Sequence, residues 1–519
     1  MKKKLIGKFL KDALLLSAVN ILMRGISVSF NAFVNRRIGA ESLGLLTLVM
    51  SVYGFAVTVA LSCVNLAAVK ITSEKCAQLH GADKKSWKTC MKSVVRSVST
   101  YSLLFGISSG IILFFSSGFI ADRFLNDLRT VLSLKVLAFS LPAISLSSAL
   151  SGFFTGLRKV RKNAVVAVSE EFLKIIITST ALMMILPGNV EISCLAVVGG
   201  SAISEGLSLL INIIMYVTDT KYPDKEKTGS NKLIIKTRLR DTADISLPSA
   251  IGAYARQGLT TIEHLAIPKG IVKSGLSKEA ALASYGLLQG IAFPLVMFPY
   301  ALIGSFTSLL VSEMAELNEL KNRGKIKALT KDVYRYSAMF SLCACGIFVN
   351  FANELGVMIY SSEEASVYTY MLGLLVPFMY LDTAVDSLLK GLGQQVYIMG
   401  VNIADAGAGV LLVILLTPLM GINGYILTIW ICEVGNLAAS IYRLGKLTGE
   451  GIICALKYYI KPFVAAVVMS IIDLIFLSAV HPIVRMLIFT AGYVGIVLIK
   501  PERLFYRDNE TGNIFQKIS

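Results

Sequence analysis

Charge is scarce in this sequence. Asp, Glu, Lys and Arg make up 16% of its 519 residues, where a soluble domain carries about a quarter. Histidine is nearly absent, and His80, His264 and His481 stand far apart. No HExxH, P-loop or strand-linked GxGxxG motif occurs, which removes the usual scaffolds for metal-dependent and nucleotide-driven chemistry. No cofactor, no metal site and no enzymatic activity is expected. The cysteines (Cys63, Cys76, Cys90, Cys194, Cys343, Cys345, Cys432 and Cys454) form no CxxC pair. Cys343 and Cys345 point to different faces of one helix, so neither disulfides nor a zinc site is expected.

What fills the chain instead is apolar. Hydrophobic residues are 55% of it and its mean hydropathy is +0.69. A spanning helix needs roughly 20 apolar residues to cross a hydrocarbon core about 30 Å thick, and many windows meet that length. Spans are expected at 12–34, 43–67, 94–117, 132–155, 164–186, 193–218, 244–266, 282–312, 331–352, 366–388, 396–418, 421–443, 459–480 and 483–499. The eighth contains Pro294 and Pro299, a kink that membrane helices tolerate where neighbours satisfy the freed carbonyls. Only His481 and Pro482 separate the last two, which makes them a tight hairpin. The start, Met1-Lys2-Lys3-Lys4, is basic like a secretory signal, but Arg24 and Asn31 interrupt the apolar run beyond it and no small-residue cleavage site appears. The first span is therefore expected to be retained.

With the N-terminus placed inside, the inner segments hold 38 Lys and Arg and the outer ones 8, namely Arg36, Arg37, Arg123, Arg129, Lys269, Lys273, Lys278 and Arg485. That bias puts both termini in the cytoplasm. It also accounts for the net charge of +17 without nucleic acid, since inner basic loops meet lipid headgroups.

The longest polar interruption, 219–243, divides six spans from six. An even number makes any repeat parallel. A shift of 232 residues lays Arg24 over Arg256, Asn31 over Glu263 and Arg37 over Lys269. A shift of 242 lays Gly44-Leu45-Leu46 over Gly286-Leu287-Leu288. Shifts of 235 and 228 lay Glu170 over Asp405 and Glu205 over Glu433. The expected fold is all-α and integral to the membrane, with about fourteen transmembrane helices. Two pseudo-symmetric six-helix lobes, 1–218 and 244–443, flank a cytoplasmic basic linker at 219–243. A two-helix hairpin and cytoplasmic tail follow at 444–519.

Charges near mid-membrane are costly, roughly 2.5–3.5 kcal/mol each on insertion scales, so they usually face a partner or a cavity. Asn20, Arg24, Ser27 and Asn31 share one face of the first span, and Ser249, Arg256, Thr260 and Glu263 repeat the pattern in the seventh. Either the two arginines meet across a cleft, or each pairs with a buried carboxylate such as Glu263. Glu170 and Glu171 both lie in reach of Lys174, and one glutamate is left over. Ser201, Glu205, Ser208 and Asn212 share a face, Asp382 and Asp386 stand four apart, and Asn402, Asp405, Glu433, Asn436 and Ser440 complete the acidic set. These groups either gate the cleft and hold a coupling Na+ or H+, or simply hydrogen-bond neighbouring helices.

Fourteen spans, the six-plus-six-plus-two plan, Arg24 in the first span and the strings IEHLAIPKGI (262–271), YGLLQGIAFPLVMFPYALIGSFTSLLVSEMAE (285–316) and LLKGLGQQ (388–395) carry a resemblance. The chain resembles the multidrug/oligosaccharidyl-lipid/polysaccharide exporter superfamily, and within it the stage V sporulation protein B and lipid II flippase branch. The resemblance implies an alternating-access flippase in the bacterial cytoplasmic membrane. Its cargo would be a lipid-linked glycan precursor with an undecaprenyl-type diphosphate, carried for peptidoglycan or polysaccharide synthesis, in spore or vegetative envelopes. Arg24, matched by span and position, and Arg256, placed through the internal repeat, would receive the diphosphate, with Asn20, Asn31 and Glu263 beside them. Glu170, Lys174, Glu205, Asp382, Asp386, Asp405 and Glu433 would serve gating or ion coupling. The last two spans would offer a groove for the lipid tail, from which Asp473 departs. The expected partners are that precursor and membrane lipids, with a monomeric chain. Two rivals remain: a cation-coupled multidrug antiporter of the same superfamily, and a non-transporting membrane scaffold for spore or envelope assembly.

Overall fold

The computed structural model describes residues 2–79, 84–185, 189–218, 239–360, 362–476 and 480–498, with the backbone alone over 2–21. Every regular element among them is a helix. The first six are α1 (Lys2–Leu61), α2 (Val64–Gln78), α3 (Lys84–Phe119), α4 (Val131–Gly156), α5 (Val160–Met184) and α6 (Val190–Val217). Then come α7 (Leu239–Lys273), α8 (Lys278–Gly286), α9 (Phe293–Val296), α10 (Tyr300–Glu319), α11 (Arg323–Asn350) and α12 (Ala352–Tyr360). The last six are α13 (Glu363–Gly373), α14 (Val376–Gly391), α15 (Gln395–Met420), α16 (Ile422–Thr448), α17 (Ile452–Phe476) and α18 (Pro482–Leu498). Of the expected linker at 219–243, residues 219–238 lie outside the described residues, as does the tail from 499.

At 60 residues α1 is far longer than one crossing requires. It divides at Gly39, whose φ of 80° and ψ of 165° are not helical. A side chain would be strained there, and glycine is not. The first two expected spans lie on either side of this break. The eighth expected span is not one kinked helix but several pieces. A π-helical stretch, Leu287–Ala292, follows α8, Pro294 sits in the first turn of α9, and Pro299 caps α10. Each proline withholds an N–H from the helical ladder, so the chain restarts rather than bends. Two further bends depart from the straight spans expected: 69° between α11 and α12, and 49° between α13 and α14, where Pro377 opens the second helix.

Among the described residues eight helices are long and apolar enough to cross a membrane, or up to ten if each bent pair is one span. Helices α5 and α7 are 25 and 35 residues long but fall outside that set. They carry Glu170, Glu171 and Lys174, and Arg256 and Glu263. The protein is a multi-pass, all-α membrane protein.

The helices gather into two compact units interleaved in sequence: Met1–Gly290 with Ala406–Tyr425, and Ile291–Asp405 with Ile426–Ser519. In lipid, helix association depends on close packing, which favours small residues at contacts. In the first unit a Cβ on Gly152 would lie 2.8 Å from the Asn65 carbonyl oxygen, so α4 approaches α2 backbone to backbone. Val64, Ala67, Ala68, Val94 and Phe154 are fully buried around that contact. In the second unit Gly391 plays the same part against Val311 and Met314, beside the buried Tyr334, Val385, Leu388 and Leu444.

Candidate functional site

Arg24 and Arg256 lie in the first unit, on α1 and α7, and both are exposed. Neither enters an ion pair or hydrogen bond among the described residues. Their depths agree. Arg24 lies fifteen residues before the Gly39 break and Gly54 fifteen after it, so each is about 22 Å from that break at 1.5 Å per residue. Across from Gly54 stands Gln257, the neighbour of Arg256, whose Nε2 would be 3.5 Å from a Cβ there. The alternative in which Glu263 neutralises Arg256 is not the arrangement found. Half-buried Glu263 instead lies against α15, where a Cβ on Gly409 would be 3.0 Å from its Oε2. Asn31 is half-buried, and the side chain of Asn20 lies outside the described residues. Beside Glu263, His264 Nδ1 and the Tyr285 hydroxyl of α8 share a 2.6 Å hydrogen bond that periodicity alone did not expose.

The carboxylates of the same unit form a network of hydrogen bonds. Glu171 accepts from Lys174 Nζ at 2.5 Å and from Ser27 Oγ at 2.7 Å, tying α5 to α1. Glu170 is thereby the glutamate left over, and it accepts from Ser208 Oγ of α6 at 2.6 Å. Glu205 accepts from the Tyr53 hydroxyl at 2.8 Å, and that hydroxyl is also 2.6 Å from Ser140 Oγ of α4. Glu170 and Glu205 are close enough for their charges to interact. Four helices of one bundle thus converge on two carboxyls. Sequence reasoning found the glutamates and missed Tyr53 and Ser140, because an isolated tyrosine in an apolar run has no spacing to betray it.

In the second unit α14 and α16 pair rung by rung. Asn436 Nδ2 donates to Asp382 Oδ2 at 3.2 Å, and Ser440 Oγ donates to Asp386 Oδ1 at 2.9 Å. The i,i+4 spacing on both helices makes this ladder possible. Asp386, Glu433 and Asp405 all stand close enough to Asp382 for charges to interact. Asp382 is 7% exposed, and its Oδ1 is buried with no hydrogen-bond partner. Among the described residues no three His, Cys, Asp or Glu side chains converge into a metal cage.

The C-terminal hairpin is not purely apolar. Arg485 of α18 grips Asp473 of α17 with two bonds, of 3.0 and 2.6 Å, and reaches Glu354 of α12 at 2.9 Å. Its guanidinium also lies 5.2 Å from the Phe351 ring centre. The departure noted at Asp473 is thus a neutralised charge.

A family model described as Polysaccharide biosynthesis protein matches residues 9–309. Stage V sporulation protein B of Bacillus subtilis (strain 168) is 24% identical over 427 residues, 81% of this chain and 80% of that protein. Sporulation protein YkvU of the same organism is 19% identical over 70% of this chain and 78% of its own length. The fold is similar to that of the lipid II flippase MurJ in an inward closed conformation, with a TM-score of 0.67 at 14% identity, covering 94% of this chain and 97% of that one. It is also similar to an inward-facing multidrug resistance MATE family transporter of the MOP superfamily, with a TM-score of 0.59 at 16% identity over 84% and 96%.

Proposed function

Because this chain belongs to the polysaccharide biosynthesis protein family and has the fold of the multidrug/oligosaccharidyl-lipid/polysaccharide exporters, we propose that it is an alternating-access flippase for a lipid-linked sugar diphosphate used in peptidoglycan or polysaccharide synthesis. It is a transporter, not an enzyme. It works in the bacterial cytoplasmic membrane with both termini inside, as the Lys and Arg distribution supports.

One observation carries the reading. Two guanidinium groups, on helices that the sequence offset of 232 places in correspondence, are exposed and enter no ion pair or hydrogen bond among the described residues. A diphosphate brings about two negative charges and many acceptor oxygens, and the planar fork of arginine matches that geometry where lysine offers only a point charge. Asn31 supplies a further donor, and Asn20 a second one by its place on the same helix face. Glu263, held against α15, borders the site without cancelling Arg256. The energy comes from a gradient or the membrane potential, coupled through the Glu170–Glu205 and Asp382–Asp386 clusters, where Na+ or H+ would exchange. Lys174 acts by fixing Glu171, which leaves Glu170 available. Asp405 and Glu433 set the charge around Asp382.

The deciding experiment is translocation of an undecaprenyl-diphosphate-linked glycan in proteoliposomes. Arg24→Ala is expected to lower the rate by about tenfold or more, the size of a lost charge-assisted hydrogen bond. Arg24→Lys retains part of it. Unchanged translocation by Arg24→Ala removes the site assignment. A second reading, a cation-coupled multidrug antiporter, draws on the orphaned Asp382 carboxyl oxygen. Drug efflux that survives Arg24→Ala and is abolished by Asp382→Asn would select it.

A further inference from the structure

At one end of the first unit, two stretches more than a hundred residues apart are fastened together. After α3 the chain makes a π-helical turn, Ile120–Leu125, and Asn126 takes a left-handed conformation with φ of 52°. Asp127 follows, 5% exposed, capping the short helix Leu128–Thr130. Arg129 donates to Asp127 through Nε at 2.9 Å and Nη2 at 2.6 Å, and its Nη2 also reaches Glu41 at 3.2 Å. From the start of α8, Lys278 Nζ donates to Asp127 Oδ2 at 3.2 Å and to the Asn126 carbonyl at 2.7 Å. From the end of α7, Lys269 Nζ donates to the Arg123 carbonyl at 2.9 Å and lies over the Phe124 ring. Beneath this lattice α1 and α8 touch at their backbones. A Cβ on Gly44 would collide with the Leu282 carbonyl, and one on Gly286 would stand 2.5 Å from the Ala40 carbonyl oxygen. Ala40 to Leu282 and Gly44 to Gly286 are the same offset of 242 residues.

All of these residues lie at the ends that the charge count places outside. We propose that the Asp127–Arg129–Lys278 lattice is the latch of an outer gate, closed here over the Gly44–Gly286 seam and broken in each transport cycle. The inference rests on the transport reading. Its logic is electrostatic: a carboxylate shared between a guanidinium on its own turn and an ammonium at the start of α8 is a contact that parting α8 from the turn after α3 must undo. Half-exposed lysine and arginine partners let water replace the bonds as they open, so the latch is strong enough to hold and weak enough to release.

The test reads gate opening without any substrate. In a background with the native cysteines replaced, Ser51→Cys places a thiol seven residues, about 10 Å, inward of Gly44. Intact cells are exposed to a membrane-impermeant maleimide, and the labelling rate is compared among the parent, Asp127→Asn and Lys278→Gln. Both variants are expected to label about fivefold faster or more, the range of a typical coupling energy. Lys278→Gln leaves the Asp127–Arg129 pair intact and carries the test if Asp127→Asn fails to reach the membrane. Equal labelling in parent and variants overturns the latch. Faster labelling in a protein that translocates no lipid-linked glycan keeps the latch and sinks the substrate assignment instead.

Discussion

At the scale of single residues, the charges in this protein sort into those that are matched and those left open. Arg485 is matched twice, by Asp473 and Glu354. Removing it strands a buried carboxylate, an act that costs about 3–5 kcal/mol. Arg485→Met is therefore expected to lower the thermal midpoint of the detergent-solubilised protein by several degrees. Asp473→Asn and Glu354→Gln combined with Arg485→Met recover much of that loss, because neither carboxylate of the triad is then left charged without its partner. A midpoint equal to that of the parent in Arg485→Met would show that the triad contributes nothing. The sequence made Arg24, Arg256 and the acidic rungs of α14 and α16 legible, because helical spacing reveals which polar residues share a face. It hid Asp127. That residue sits in a loop, where no periodicity operates, and its tie to Lys278, like that of Arg129 to Glu41, joins segments far apart in the chain. Arg129, Lys269, Lys278 and Arg485 entered the topology count only as exceptions to the inside bias. Each turns out to hold a carboxylate or a carbonyl that only the folded chain brings near, Glu41 in the case of Arg129.

At the scale of elements, the apolar runs foretold most crossings, and the two prolines of the eighth span foretold an interruption there. The bend between α11 and α12 was not legible, since Phe351 looks like any other residue of an apolar helix. The close approach of α1 and α8 was visible only as a matched Gly-Leu-Leu string, with no sign that the matched glycines would face one another. That seam makes a steep prediction. Gly44→Leu or Gly286→Leu forces bulk against backbone that cannot yield, where overpacking typically costs about 1–3 kcal/mol. The Ser51→Cys reporter should then label faster from outside, as expected of the latch variants. Gly118→Ala, which meets open space, is the matched control and should leave the rate where it was. A rate unmoved by leucine at either seam position would mean that the seam does not close the path.

At the scale of the whole molecule, the latch must stay shut across the acidities a cell surface meets. Burial alone would raise the Asp127 carboxyl, but the bonds from Arg129 and Lys278 more than offset it and hold the group below its ordinary value. A carboxyl depressed in this way contributes its stability at every pH above the ordinary value and loses it only as pH falls through the lower one. Arg129, Lys278 and Glu41 are the charged groups that face it. The ratio of labelling rates, Asp127→Asn over parent, is accordingly expected to be flat from about pH 5 to 8. A ratio that falls towards one at the acidic end would mean that Asp127 is already protonated there. The transmembrane class and the family were within reach of composition and strings. The compact units were not, because they interleave distant segments that hydropathy reads in order.

The contact between α1 and α8 has one more consequence. Each side offers the same glycine to the same carbonyl of the other, four residues back. Such self-complementarity is how a twofold homodimer meets itself. If a gene once encoding half of this chain was copied and fused, the seam is where two identical subunits formerly associated. A substitution on one side then has a natural compensating site on the other, and the two halves are not free to diverge independently there.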